Sequence, residues 1–190
     1  MSAFEFLFSF YGLLLGLSIA EMAGGFSRVW DRRAVQPVGW LAPLLGLILL
    51  ADLTSFWTNA WYFRDNIEVS YIVAFCAAII TLLYYFAATQ VFPRDGSTLS
   101  PDEHVMAHRR AVVSAAILSN ALAVAGSIML VGFSPGTLAS TLLMNLPMFV
   151  FLAAIGWLPG RRAVLASMLV ILPLTIFYEP IIRAAYGLFR

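Results

Sequence analysis

Six apolar stretches, each about as long as a lipid bilayer is thick, fill nearly all of this chain, and most of its charge lies in the short segments between them. A hydrocarbon core of ~30 Å is crossed by roughly 20 helical residues at 1.5 Å each, and stretches of that length recur here. Backbone N–H and C=O groups meet no water inside a bilayer and must be satisfied within the segment, which selects helices. The sequence therefore predicts an all-α, polytopic membrane protein: a bundle of six transmembrane helices in a single domain covering residues 1–190. Its 62% hydrophobic and 11% charged residues, against ~45–50% and ~25% in soluble domains, leave no room for a soluble domain between the spans.

The spans are expected at about Phe4–Phe26, Val38–Phe63, Ser70–Phe92, Arg110–Phe133, Thr137–Trp157 and Ala163–Leu188. The first lacks a basic segment before it, contains Glu5 and Glu21 and is followed by Arg28, Arg32 and Arg33, so it reads as a retained helix and not a cleaved signal peptide. All eleven basic residues are arginine. Arg28, Arg32, Arg33, Arg94, Arg109, Arg110, Arg161 and Arg162 fall on one side, and Arg64, Arg183 and Arg190 on the other. The positive-inside rule then makes the loops at 27–37 and 93–109 cytoplasmic and puts both termini outside the cytoplasm, as in a bacterial inner-membrane protein. Trp30, Trp40 and Trp157 mark the cytoplasmic boundary, and Trp57, Trp61, Tyr62 and Tyr186 the opposite one.

This arrangement gives helices one to three and four to six opposite orientations, the topology of a 3+3 inverted repeat. The only internal echo is Thr81-Leu-Leu-Tyr84 against Thr175-Ile-Phe-Tyr178. Cys76, the single cysteine, rules out an internal disulfide and reads as a small buried apolar residue.

Polar groups inside the spans carry the chemical information, because an ionisable side chain in lipid costs at least a few kcal/mol and faces the protein interior. Counted from Gly39, Asp52 lies ~20 Å deep, close to the midplane. Ser55 and Asn59 follow at i+3 and i+7 and Tyr62 continues the line, so a polar stripe runs outward from the carboxylate. Asn120 and Asn145 lie at similar depth on helices four and five, and Pro147 frees the carbonyl of Leu143 near Asn145. Asp52, Asn120 and Asn145, with Ser55 and Asn59, are the candidate ion- or substrate-binding group. The alternative is interhelical hydrogen bonding that fixes packing.

Glu21 and Glu179 lie in the inner and outer thirds, and Arg183 follows Glu179 at i+4. Glu21, Glu179 and Arg183 are expected either as relay or gate members or as local ion pairs. Pro173 and Pro180 are expected to break helix six. On helix one, Gly12, Gly16, Ala20 and Gly24 recur every four residues, a helix-packing face for another helix of this chain or of a second protomer.

Between helices three and four, Ser100, Pro101 and Glu103 have the spacing of a capping box, so helix four starts before the membrane boundary. His104 and His108, the only histidines, are four apart there with Asp102 and Glu103 nearby. They read chiefly as a solvated helix start, and no metal or cofactor is expected.

The leading expectation is a proton- or ion-linked channel or secondary transporter in which Asp52 titrates or binds a cation; the alternative is a non-catalytic membrane subunit or scaffold that associates through helix one. An intramembrane enzyme is less favoured, because no Ser/His or paired-Asp constellation appears. The expected partners are the lipid bilayer and either a second copy or another membrane protein. Nucleic acid is not expected, with a net charge of +1.

Overall fold

The computed structural model describes the backbone of residues 3–132 and 134–187, and the side chains of residues 4–130, 132, 134–136 and 138–177. Among these residues it is all-helical: α1 (Ala3–Asp31), α2 (Leu41–Tyr62), α3 (Tyr71–Val91), α4 (Pro101–Val131), α5 (Pro135–Trp157) and α6 (Arg161–Gly187). Five of these, α1 to α5, are long and apolar enough to cross a membrane, as in a multi-pass membrane protein.

Neighbour relations run α1 to α3, α3 to α4, α4 to α5, α5 to α6 and α6 to α2. The α2 helix also touches α1, α3 and α4, making it the most enclosed element. Its buried residues Leu41, Leu45, Ile48, Leu49 and Leu53 join Tyr84, Ala87 and Val91 of α3, Val112 and Ala116 of α4, Leu152 and Ile155 of α5, and Met168 and Ile171 of α6 in one core. The two halves do not pack alike among the described residues. Contact between α1 and α3 is extensive, whereas α4 and α6 make no comparable contact, so an inverted repeat finds no support in the packing.

The arginine-bearing helix ends gather at one end of the molecule. Arg32, just past α1, bonds Asp95 in the α3–α4 connection at 2.8 Å, and Arg161 at the start of α6 pairs with Asp102 on α4. At the other end, Phe8 of α1 meets Trp57 and Trp61 of α2 with ring centroids 4.5 and 5.6 Å apart. Trp30, Trp40, Trp157, Trp61 and Tyr62 are all exposed, whereas Trp57 is half-buried against α1 and the side chain of Tyr186 lies outside the described residues.

Four expectations change. Cys76 is exposed on α3 and not buried. The α1 helix continues past Phe26 to Asp31. The α6 helix runs unbroken through Pro173 and Pro180, which a helix tolerates where neighbours re-satisfy the freed carbonyls. The early start of α4 is as expected, since Ser100 and Glu103 form a complete capping box, but its first turns reach further into the structure than a solvated start would.

Candidate functional site

Among the described residues, Asp52 is the most enclosed carboxylate of the membrane-spanning segments, with 2% of its surface exposed. It lies on the face of α2 that carries Leu45, Ile48 and Leu49, which is why it faces inward. From α4, Asn120 Nδ2 donates to Asp52 Oδ1 at 3.1 Å and Oδ2 at 2.9 Å, and also to the Ala116 carbonyl at 3.0 Å. From α3, the buried Tyr84 presents its hydroxyl to the same carboxyl group. Three helices thus converge on one side chain. Beside it lies a void of about 10 Å³, roughly room for one water, lined by Asp52 and seven apolar residues including Leu45, Val112 and Leu152.

The other candidate ligands lie elsewhere. Ser55 donates to the backbone carbonyl of Asp52 at 2.7 Å. Asn59 and Tyr62 are exposed, so the polar stripe runs along the outside of α2 and does not line an internal path. Asn145 donates to Thr141 O of its own helix at 2.8 Å. The α5 residue beside the Asp52 void is Leu152, about two turns away. Glu21 pairs with Arg28 two turns along α1 at 3.3 Å. The side chains of Glu179 and Arg183 lie outside the described residues. Of the small-residue series, Gly12 meets Trp57, Gly16 has nothing within 4 Å of where a Cβ would lie, Ala20 is exposed, and Gly24 lies beside Arg28.

A second polar constellation occupies the arginine-rich end, where the first turns of α4 satisfy helix ends of their neighbours. Asp102, 4% exposed, accepts from Leu41 N at 2.8 Å and Trp40 N at 3.4 Å, supplying the cap that α2 lacks from its own N-cap residue. His104 donates from Nε2 to Gln90 O at the end of α3 at 3.1 Å. Arg109 donates from Nη1 to Ile155 O and Leu158 O at the end of α5, at 3.0 and 2.8 Å. Free carbonyls at a helix C-terminus attract a cation and free N–H groups at an N-terminus attract an anion, and each α4 side chain has the matching chemistry. Gly39 (φ +72°) permits the approach, because a Cβ there would lie 2.3 Å from the Asp102 carboxyl.

The two imidazoles stack at 4.1 Å, and His108 donates from Nδ1 to His104 O at 3.0 Å. Each ring is thereby tied to backbone. Among the described residues no group of three or more His, Cys, Asp or Glu side chains is placed to hold a metal ion. The capping roles of Asp102 and Arg109 were missed from sequence, where Arg109 served only as a topology charge. A charged residue one to three turns into a helix is the available signal, but it does not name the partner.

Comparison with known proteins finds no matching family model, curated protein or solved structure.

Proposed function

We propose that this protein is a non-catalytic membrane subunit or scaffold, six times membrane-spanning with its arginine-rich end in the cytoplasm, that associates through the outward part of α1. The carrying observation is that the buried Asp52 carboxylate is engaged by side chains of two neighbouring helices. Both Asp52 oxygens accept from Asn120, Tyr84 approaches from a third helix, and the adjoining void is apolar and of single-water size. Such a centre locks α2, α3 and α4 together in a medium where lipid removes the hydrophobic drive for helix association. Gly16 and Ala20 face outward on α1, offering close backbone approach to a helix of another chain.

A proton- or ion-linked transporter is the second reading. It is favoured by the lack of an arginine or histidine paired with Asp52 among the described residues, which leaves a proton or a cation to neutralise it. Thermal stability in detergent across pH and a cation panel, for wild type and Asp52→Asn, separates the two. The scaffold reading expects parallel responses from the two proteins, together with a Gly16→Leu variant that loses self-association or partner binding. A cation that stabilises wild type in a concentration-dependent way and not Asp52→Asn overturns it in favour of transport.

A further inference from the structure

A cleft at the arginine-rich end lies between the last turn of α1 and the connection from α3 to α4. Arg28, Arg32 and Gln36 line one wall, and Pro93, Ser97 and Leu99 the other. Arg28, in the last turn of α1, and Arg32, just past its end, both border this cleft. The Nε of Arg28 is buried with no hydrogen-bond partner, although Nη2 of the same guanidinium holds Glu21 at 3.3 Å. An unmet cationic N–H beside a cleft is a donor awaiting an acceptor. Arg32 already grips an oxygen anion there, the Asp95 carboxylate at 2.8 Å. That pair is weakly held, because Asp95 is 75% exposed and exposed pairs contribute ~0–1 kcal/mol.

We propose that the open mouth of this cleft, whose interior of about 10 Å³ holds only a water, binds a phosphate group, with Arg32 exchanging Asp95 for a phosphate oxygen and the Arg28 side chain turning its Nε to a second. A phosphate offers several acceptor oxygens in the geometry that guanidinium forks match, which a single carboxylate from an exposed turn does not. Trp30, 50% exposed with Arg33 stacked on its ring at 4.7 Å, sets the level of the cleft at the membrane interface, where lipid phosphates lie. The phosphate comes either from an anionic phospholipid headgroup or from a small soluble phosphate compound.

The test is thermal denaturation of the full chain in neutral detergent at matched ionic strength, titrated with inorganic phosphate, short-chain phosphatidylglycerol or short-chain phosphatidylcholine. A concentration-dependent rise in Tm with phosphatidylglycerol alone assigns the site to a lipid headgroup, and a rise with both anions assigns it to the phosphate group itself. In either case Arg32→Gln weakens binding roughly tenfold, the scale of one charge-assisted bond, and Arg33→Gln leaves it unchanged. Arg28→Lys keeps the charge opposite Glu21 but removes the Nε–H, and it weakens binding without requiring Arg32 to change. No response to either anion, an equal response to phosphatidylcholine, or equal weakening by Arg33→Gln and Arg32→Gln overturns the proposal.

Discussion

Asp102 joins two elements besides its own helix through one carboxylate. It accepts from the first amides of α2 and from Arg161 of α6 while almost fully buried. Capping substitutions cost ~0.5–2 kcal/mol, and hydrogen bonds to a charged group ~1.5–3 kcal/mol. Asp102→Ala is therefore expected to lower stability by about 2–4 kcal/mol, read as a drop in Tm in detergent. His104, two residues on, gives the same end of the molecule a pH dependence. Burial, then the neighbouring charge of His108, holds its imidazole below the ordinary value, and the bond to Gln90 O only partly opposes this. A base with a lowered folded pKa binds fewer protons when folded. Its contribution is thus complete above about pH 6.5 and declines as the pH falls from there to the folded pKa. Glu103 acts in a more acidic window, because bonds from the Ser100 hydroxyl and backbone hold its carboxyl below the usual range. That contribution is present above the ordinary Glu pKa and is lost as the pH falls through the lowered one. Tm measured from about pH 8 to pH 4 is expected to decline below the imidazole value in wild type. The decline is smaller in His104→Gln, whose amide can still donate to Gln90 O.

At the scale of the helix, α1 packs within its own chain through a different side from its small-residue series. Its buried residues among those described are Leu7, Tyr11, Leu15, Ser18, Met22, Gly25 and Val29, a mixture of steps of three and four that stays on one side of the helix. The steps of four from Gly12 to Gly24 rotate by ~40° each and drift off that side. Only Gly12 is in close contact with another helix, and the close approach to α3 falls to Gly25, where a Cβ would lie 2.6 Å from Phe92 Cδ2. Gly25→Ala is expected to cost ~1–3 kcal/mol through overpacking, whereas Gly16→Ala stays within about 0.5 kcal/mol; melting curves of the two variants decide this. The bond between α2 and α4 has its own measurement. A double-mutant cycle on Asp52→Ala and Asn120→Ala is expected to give a coupling of ~0.6–2 kcal/mol, and a value near zero would mean that the two side chains do not hold the helices together.

For the whole molecule, the gathering of arginine-bearing ends makes sidedness testable. With Cys76 replaced by Ala, a cysteine at Ser97 and another at Asn66 lie in connections at opposite ends. Impermeant maleimide on intact cells is expected to label Asn66→Cys and to reach Ser97→Cys only after permeabilisation; the reverse pattern would invert the topology. The helical class, the five apolar helices α1 to α5, the capping box of α4 and the segregation of arginine were legible in the sequence. They depend on local length, hydropathy and spacing, which the chain carries residue by residue. Which polar groups meet was not legible. Asn120 and Asn145 look equivalent by depth, yet only Asn120 reaches Asp52, because a side chain's partner depends on the rotation and neighbour order of its helix. Cys76 and Gly16 face outward for the same reason, and lipid, being as apolar as the core, leaves no hydropathy signal to separate the two faces. The sequence by itself determined that the chain forms long apolar helices and that α4 opens on a capping box. Tertiary structure alone decided that α4 caps its neighbours and that the buried carboxylate closes on Asn120 and Tyr84, since those bonds join residues far apart in the chain.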